Sequence, residues 1–391
     1  MFAKFVSSRN PLLRIGVALS TLWLAACEPT GHAGPGQAGN AGKGVPVALL
    51  LPAGSGTSGD DALARSLQQA AQMAISDLDG VKIDLRVYNT GSDPAQAAQV
   101  ASQAVDEGAK VILGPVYAQA ANAAGRAVAD RGVNVLAFSN NVDIAGGNVF
   151  VLGSTFPNTA SRLASYAAAQ GKDRIFVLSD QTTAGTIGAR AITAALGPSG
   201  AALAGQASYP FSQDGLNSAM PEIAQQINAS GANALFLTAD TAGALPLLAQ
   251  LLPQNGIDPQ ATKFLGLTRW DVPNATLALP GLQGGWFALP DPSMNDRFQS
   301  RYKAAYGSAP HPIAGLAYDG IAAIGALVKS GRSDPFSAKA LTQSSGFVGV
   351  SGVFRLLPDG TNQRALAVAE VRNGTLAIVD PAPKSFSGAG F

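Results

Sequence analysis

A glycine-rich loop is the most conspicuous candidate for chemistry in this sequence. Gly54-Ser55-Gly56-Thr57-Ser58-Gly59 has the spacing G-x-G-x-x-G and stands between an apolar run and a helical pattern, where a dinucleotide could bind. Two features argue against a nucleotide. Asp60-Asp61 would repel a pyrophosphate at the helix N-terminus, and 87–89 (Val-Tyr-Asn) offers no acid for a ribose. We therefore interpret the loop as a turn at the edge of a cleft, able to offer backbone N–H groups to a small anion, and we expect no cofactor.

Residues for catalysis or metal binding are sparse. His32 and His311 are far apart on predicted loops, Cys27 is the only cysteine, and neither G-x-S-x-G nor S-x-x-K occurs. The acidic pairs Asp60-Asp61 and Asp106-Glu107 are typical of helix ends. The sequence thus predicts a protein that is not an enzyme and has no metal site.

The amino terminus has the pattern of an export signal. Lys4, Arg9 and Arg14 precede a short apolar stretch at 15–26, and Leu24-Ala25-Ala26-Cys27 resembles a bacterial lipobox. We expect residues 1–26 to be a signal peptide, Cys27 to be lipidated and to anchor the protein to a membrane, and 27–44 to form a flexible Gly/Ala/Pro tether. The alternative is an ordinary signal peptide with Cys27 near the cleavage site. Glu28 after the cysteine, by resemblance to Gram-negative lipoproteins, favours the outer membrane, facing the periplasm.

Composition excludes one class of partner. The 391 residues include 26 basic and 25 acidic ones, with no basic run, so nucleic acid is not expected as a partner. With 47% apolar residues, the chain can build a sizeable core.

The apolar pattern predicts an α/β protein. Short apolar strands at 45–51, 81–88, 110–116, 134–138 and 149–152 alternate with helices of about 14 residues, which indicates β-α-β units and a parallel sheet covered on both faces. The alternation restarts at residue 158, so we expect two lobes, each a doubly wound, mostly parallel sheet. The segments 352–356, 364–372 and 375–379 predict an antiparallel meander with an Asn373-Gly374 turn.

Loops at the carboxyl ends of parallel strands form the binding cleft in such sheets. They supply the predicted cleft residues Ser55, Gly56, Thr57, Tyr117, Gln119, Ser139, Asn140, Asn141, Ser179, Asp180, Asp240, Arg269, Trp270 and Asp271. Many of these side chains are equally suited to capping helices. The triplet Arg269-Trp270-Asp271 suggests an ion-pairing group beside an aromatic platform.

The order of elements resembles the type I periplasmic binding proteins, especially the leucine/isoleucine/valine-binding group. The resemblance rests on LLPAGSGTSG (50–59), Leu113-Gly114-Pro115, Ala317-Tyr318-Asp319-Gly320, GVSGVFR (349–355) and ALAVAEVRNG (365–374). It implies three inter-lobe crossings, which we place near 153–156, 270–284 and 347–352. Lobe 1 would then comprise 45–153 plus 285–347, lobe 2 would comprise 154–284 plus 348–380, and 381–391 would be a flexible tail.

Within that superfamily, the lipobox, the tether and the ending VDPAPKSF (379–386) resemble the penicillin-binding protein activators, which stimulate peptidoglycan synthases from the outer membrane. The amino-acid-binding relatives hold the ligand's carboxylate with serines and a threonine and stack an aromatic ring over the ligand. Here those positions carry Ala118 and Gln119, Ser139-Asn140-Asn141, and Ala184.

Two functions follow from these resemblances. The first is a non-enzymatic lipoprotein that regulates peptidoglycan synthesis by activating a penicillin-binding protein. The alternative is a solute-binding lipoprotein of an ABC transporter for branched-chain amino acids or related small polar ligands.

Overall fold

A computed structural model describes residues 44–386. The predicted signal peptide, the lipidation site at Cys27 and most of the tether lie outside the described residues, as does the end of the predicted tail.

The first sheet has five parallel strands in the order β2-β1-β3-β4-β5. All except β2 are largely or fully buried runs rich in Val, Leu and Ile, as expected for a sheet covered on both faces. The strands are β1 (Val45–Leu51), β2 (Ile83–Asn89), β3 (Val111–Leu113), β4 (Val135–Ala137) and β5 (Val149–Val151).

Helices cover both faces of this sheet. Helices α2 (Pro94–Asp106) and α3 (Ala118–Val128) bury an alanine-rich face on one side, where small side chains allow close packing. Helix α1 (Ser58–Ser76) covers the other side.

The second sheet has seven strands in the order β15-β14-β10-β9-β8-β6-β7. Strands β6 to β10 run parallel, whereas β14 pairs antiparallel with both β10 and β15. These strands are β6 (Arg174–Asp180), β7 (Ala202–Tyr209), β8 (Ala234–Leu237), β9 (Lys263–Gly266), β10 (Trp286–Leu289), β14 (Ala367–Arg372) and β15 (Thr375–Asp380).

This second sheet is also covered on both faces. Helices α4 (Phe156–Ala169) and α5 (Thr183–Leu196) pack on one face, and α6 (Gln213–Ser230) and α7 (Leu245–Gln254) pack on the other. The architecture is therefore the predicted one, two doubly wound α/β lobes with mostly parallel sheets.

After β10 the chain returns to the first sheet. Helices α8 (Pro292–Tyr306), α9 (Gly315–Lys329) and α10 (Ala338–Leu341) extend the core beside α1. Strands β11 (Phe347–Gly349), β12 (Gly352–Leu356) and β13 (Asn362–Arg364) form a small antiparallel sheet whose apolar side chains join that same core.

We define the first lobe as residues 44–152 with 291–364, and the second lobe as 155–290 with 366–382. Two boundaries differ from the sequence-based expectation. Strand β10 pairs with β9 and β14, so the second crossing follows residue 289 instead of lying at 270–284. Residues 347–364 pack on the first lobe, so the third crossing lies at 365–366 and divides the strand predicted at 364–372.

The tail prediction is also corrected. Ala382 is buried in the core of the second lobe, so residues 381–386 pack against the folded protein. Among residues 44–386, no helix has both the length and the apolarity to cross a membrane, and no group of His, Cys, Asp and Glu side chains there could hold a metal ion.

Candidate functional site

In the first lobe, the loop between β1 and α1 is shaped by glycine and by its own hydroxyl groups. Gly54 and Gly56 adopt φ of +84° and +82°, a conformation that strains other residues. The hydroxyls of Ser55 and Thr57 lie 2.9 Å apart, and the Thr57 backbone N–H donates to Ser55 Oγ at 3.2 Å. The loop thus presents two polar side chains at the carboxyl end of β1.

Asp60 links this loop to two others. The Tyr117 hydroxyl, from the residue that precedes α3, donates to one oxygen of the Asp60 carboxylate, and Ser92 Oγ donates to the other at 2.7 Å. These hydrogen bonds, Tyr117 foremost, outweigh the effect of burial and lower the pKa of Asp60 from 3.8 to about 2. The same bond to Asp60, together with burial, raises the pKa of Tyr117. Asp60 is therefore a fixed negative charge at this edge of the sheet.

The remaining predicted residues of the first lobe divide into two groups. Ser139 and Asn141 shape the turn after β4, because Ser139 Oγ accepts from the Asn141 N–H at 3.1 Å and Asn141 Oδ1 accepts from the Asp143 N–H at 2.9 Å; Asn140 is exposed in this turn. Gln119 lies apart, in a shallow groove between α2 and α3 with Asn122 and Arg126. The structure does not bring it to the Ser55–Tyr117 group.

In the second lobe, Ser179 and Asp180 end β6 and line a groove of about 720 Å³ with Thr186, Arg190 and Ser208. Asp180 Oδ1 accepts from the Thr182 N–H at 3.0 Å and from the Thr182 hydroxyl. A side chain at Gly185 would lie 2.4 Å from the Asp180 carbonyl oxygen, so glycine is required there for the helix to approach. Asp240, exposed after β8, accepts from the Gly243 N–H at 2.6 Å.

Arg269, suggested by the sequence as an ion-pairing group, is paired with Asp271. Arg269 Nε and Nη2 donate to the two carboxylate oxygens at 2.9 and 2.5 Å, a bidentate arrangement. The Arg269 charge is therefore already matched within the chain.

The prediction that Trp270 forms an aromatic platform is wrong. Its side chain is fully buried and packs beside Phe287, with ring centroids 5.9 Å apart. Gly266 and Gly285 make room for it, because a Cβ at either residue would lie within 2.5 Å of the indole. Trp270 is a core residue.

Sequence reasoning did not select three polar residues that lie at or hydrogen-bond to these strand ends, Asp60, Ser92 and Tyr209. Tyr209 ends β7 in register with Asp180, is fully buried, and its hydroxyl has no hydrogen-bond partner among the described residues. Burial, then the charges of Asp180 and Asp240, raise its pKa. Of the three, only Asp60 has a signal in the sequence, which is its position in the first turn of a predicted helix.

Comparison with known proteins identifies the family of the chain. Residues 44–375 match the model of the periplasmic binding protein family, and the chain belongs to that family. Membership implies a periplasmic location, and members of the family are generally not enzymes. No curated protein sequence matches the chain.

Solved structures share the fold at low identity. A Rhodospirillum rubrum protein assigned to branched-chain amino acid ABC transport has 20% identity and a TM-score of 0.73, covering 86% of this chain and 100% of its own. A branched-chain amino acid ABC transporter periplasmic ligand-binding protein from Burkholderia xenovorans has 19% identity and a TM-score of 0.67, covering 87% and 96%. An ABC transporter substrate-binding protein from Desulfitobacterium hafniense in complex with Leu has 18% identity and a TM-score of 0.62, covering 86% and 99%.

Proposed function

We propose that this protein is the solute-binding receptor of an ABC transporter and binds a small polar molecule between its lobes. The observation that carries the proposal is the presence of oriented polar side chains at the carboxyl ends of the strands in both sheets, where ligands of doubly wound folds bind. The structural neighbours named for branched-chain amino acid transport support the same class of function.

The charges at these edges favour a ligand that carries an amino group. Asp60, Asp61, Asp180 and Asp240 lie there, and in the loops that follow β1 to β4 and β6 to β9 the sole Lys or Arg is Arg269, which is paired with Asp271. In these loops a ligand carboxylate would meet fixed negative charge and one base that is already paired, whereas an ammonium group is attracted. Arg190, which lines the groove beside Asp180, belongs to α5 and not to these loops. The ligand class we propose is a small amine or amino acid amide.

A thermal-shift experiment with a matched set tests both parts. Leucinamide, leucine and 4-methylpentanoate share a carbon skeleton and differ in charge, and putrescine and agmatine extend the amine class. We expect leucinamide or another amine to raise the melting temperature. At a hundredfold excess of ligand over Kd, the free energy of unfolding should increase by about 2.7 kcal/mol. Stronger stabilisation by the carboxylate would overturn the amine preference and leave the receptor function standing. No stabilisation by any small molecule would count against the receptor function itself.

A second function, activation of a penicillin-binding protein from a lipid anchor on Cys27 at the outer membrane, is favoured by one observation. Where the amino-acid receptors hold a carboxylate, this chain has Tyr117 bonded to Asp60, so the edge is rebuilt. This function predicts that the full chain binds a peptidoglycan synthase and raises its polymerising or cross-linking rate. The receptor function predicts no such effect.

A further inference from the structure

The segment that follows the last strand is anchored first to the second lobe. Strand β15 ends at Asp380, whose carboxylate receives Arg162 Nη2 of α4 at 2.6 Å. Two residues later, Ala382 is buried among the apolar side chains of α6, α7 and the second sheet. Up to this point the segment belongs to the second lobe.

The next contact is with the first lobe. Lys384 Nζ donates to the carboxylate of Asp291, which caps α8 by accepting from the Ser293 hydroxyl at 2.7 Å and from the Met294 N–H at 3.2 Å. The Asp291 backbone N–H donates to the Ser351 carbonyl at 3.0 Å. Burial alone would raise the pKa of Asp291, but the hydrogen bonds from Lys384, Ser293 and Met294 outweigh it and lower that pKa. Asp291 is thus a charged, buried anchor at the second crossing.

A third contact lies further along, again on the first lobe. The Arg355 guanidinium lies over the ring of Phe386, 4.5 Å from its centroid. Arg355 is itself held on β12 by two hydrogen bonds to Gln363 Oε1, at 2.9 and 2.6 Å. The ring also packs on Gly346, where a Cβ would lie 2.9 Å from it and where φ is +65°.

We propose that residues 381–386 form a strap, a fourth connection between the lobes that limits how far they separate. The segment leaves the second lobe at Ala382 and reaches the first lobe at Lys384, and Pro381 and Pro383 restrict the backbone φ on either side of Ala382. The three crossings of the chain connect the lobes through the backbone, whereas the strap connects them through side chains that can detach. This proposal is independent of whether the protein binds a solute or a synthase.

Distances between two spin labels, measured on the full chain by double electron–electron resonance, test the strap. In a Cys27→Ser background, spin labels at Asn122→Cys on the first lobe and Gln225→Cys on the second report the inter-lobe distance from exposed helical positions. Lys384→Met and Phe386→Ala should each broaden the distance distribution and shift its mean to larger values by several ångströms. Lys329→Met is the matched control, because Lys329 pairs with Asp79 inside the first lobe.

Lys384 can be changed without opening a core, since its side chain is largely exposed, and Phe386 is only partly buried. An unchanged urea m value in each variant shows that the same surface is buried. Wider distributions in Lys384→Met and Phe386→Ala, with Lys329→Met unchanged, support the strap. Distributions that match the Lys329→Met control in both variants would overturn it.

Discussion

Arg364 and Asp319 form an ion pair that is closed off from solvent, with side chains 5% and 0% exposed and an Nη1–Oδ2 distance of 2.9 Å. Arg364 stands at the third crossing, and its Nε and Nη2 both donate to the carbonyl of Leu152 at the first crossing, at 2.9 and 2.6 Å. Asp319 in turn accepts from the Val350 N–H at 2.7 Å. One guanidinium therefore joins two of the chain's crossings to α9 of the first lobe.

Removing Arg364 should be strongly destabilising. Arg364→Met leaves the Asp319 charge buried without its partner and the Leu152 carbonyl without two donors, which costs about 3–5 kcal/mol. Urea denaturation measures the loss. Arg131→Met, which breaks the exposed pair with Asp106, should cost no more than about 1 kcal/mol.

The pair can also be tested for coupling. Combining Arg364→Met with Asp319→Asn should destabilise by less than the sum of the two single changes, because the second change removes the charge that the first one strands. Strict additivity would contradict the interpretation that the two charges act as a unit.

The Asp60–Tyr117 hydrogen bond predicts a specific pH dependence. Because the pKa of Asp60 in the folded state is lowered from 3.8 to about 2, its stabilisation is present above its unfolded pKa and is lost as the pH falls from about 4 to about 2. Denaturation curves collected across this range should show a steeper loss of stability for the wild type than for Asp60→Asn. Tyr117→Phe should fall between the two, and a slope equal to that of the wild type would show that Tyr117 does not hold the carboxylate.

Because Trp270 is buried against Gly266, we expect a larger side chain at Gly266 to destabilise the protein. Gly266→Ala places a Cβ 2.3 Å from the indole, and overpacking of this kind costs about 1–3 kcal/mol. Gly197→Ala is the control, since nothing lies within 4 Å of its Cβ and the backbone has φ of −56°. Equal stability of the two variants would mean that Trp270 can leave its site.

Much of the fold could be predicted from the sequence because the pattern of apolar residues reports local structure directly. Buried parallel strands are continuous apolar runs, and the run at 45–51 predicts β1 with its observed bounds. The partner of a strand is a different matter. The residues of β10 indicate a strand but not that it joins the second sheet, since pairing with β14 depends on residues about 80 positions away.

The site was harder to predict because its contacts are long-range. Asp60 looked like a helix-end charge, and only the fold brings Tyr117 to it across 57 positions. Trp270 stands between two charged residues, so its local context indicated a surface, whereas Gly266, Gly285 and Phe287 enclose it. The Pro- and Ala-containing ending suggested a flexible tail, although Ala382 is buried and Lys384 pairs with Asp291.

The central claim is that one small molecule binds to both lobes. Calorimetric titration tests it most directly, with the best-stabilising amine titrated into the wild type, Asp60→Asn and Asp240→Asn. Asp240→Asn keeps an oxygen to accept from the Gly243 N–H, and Asp60→Asn keeps one oxygen for Tyr117 or Ser92 while its amide donates to the other hydroxyl, so both changes remove the charge. Asp130→Asn at an exposed position of the first lobe is the control. We predict one site per chain, with affinity about 10- to 100-fold weaker in both cleft variants and unchanged in the control. Full affinity in either cleft variant, or no heat of binding in the wild type, would contradict it.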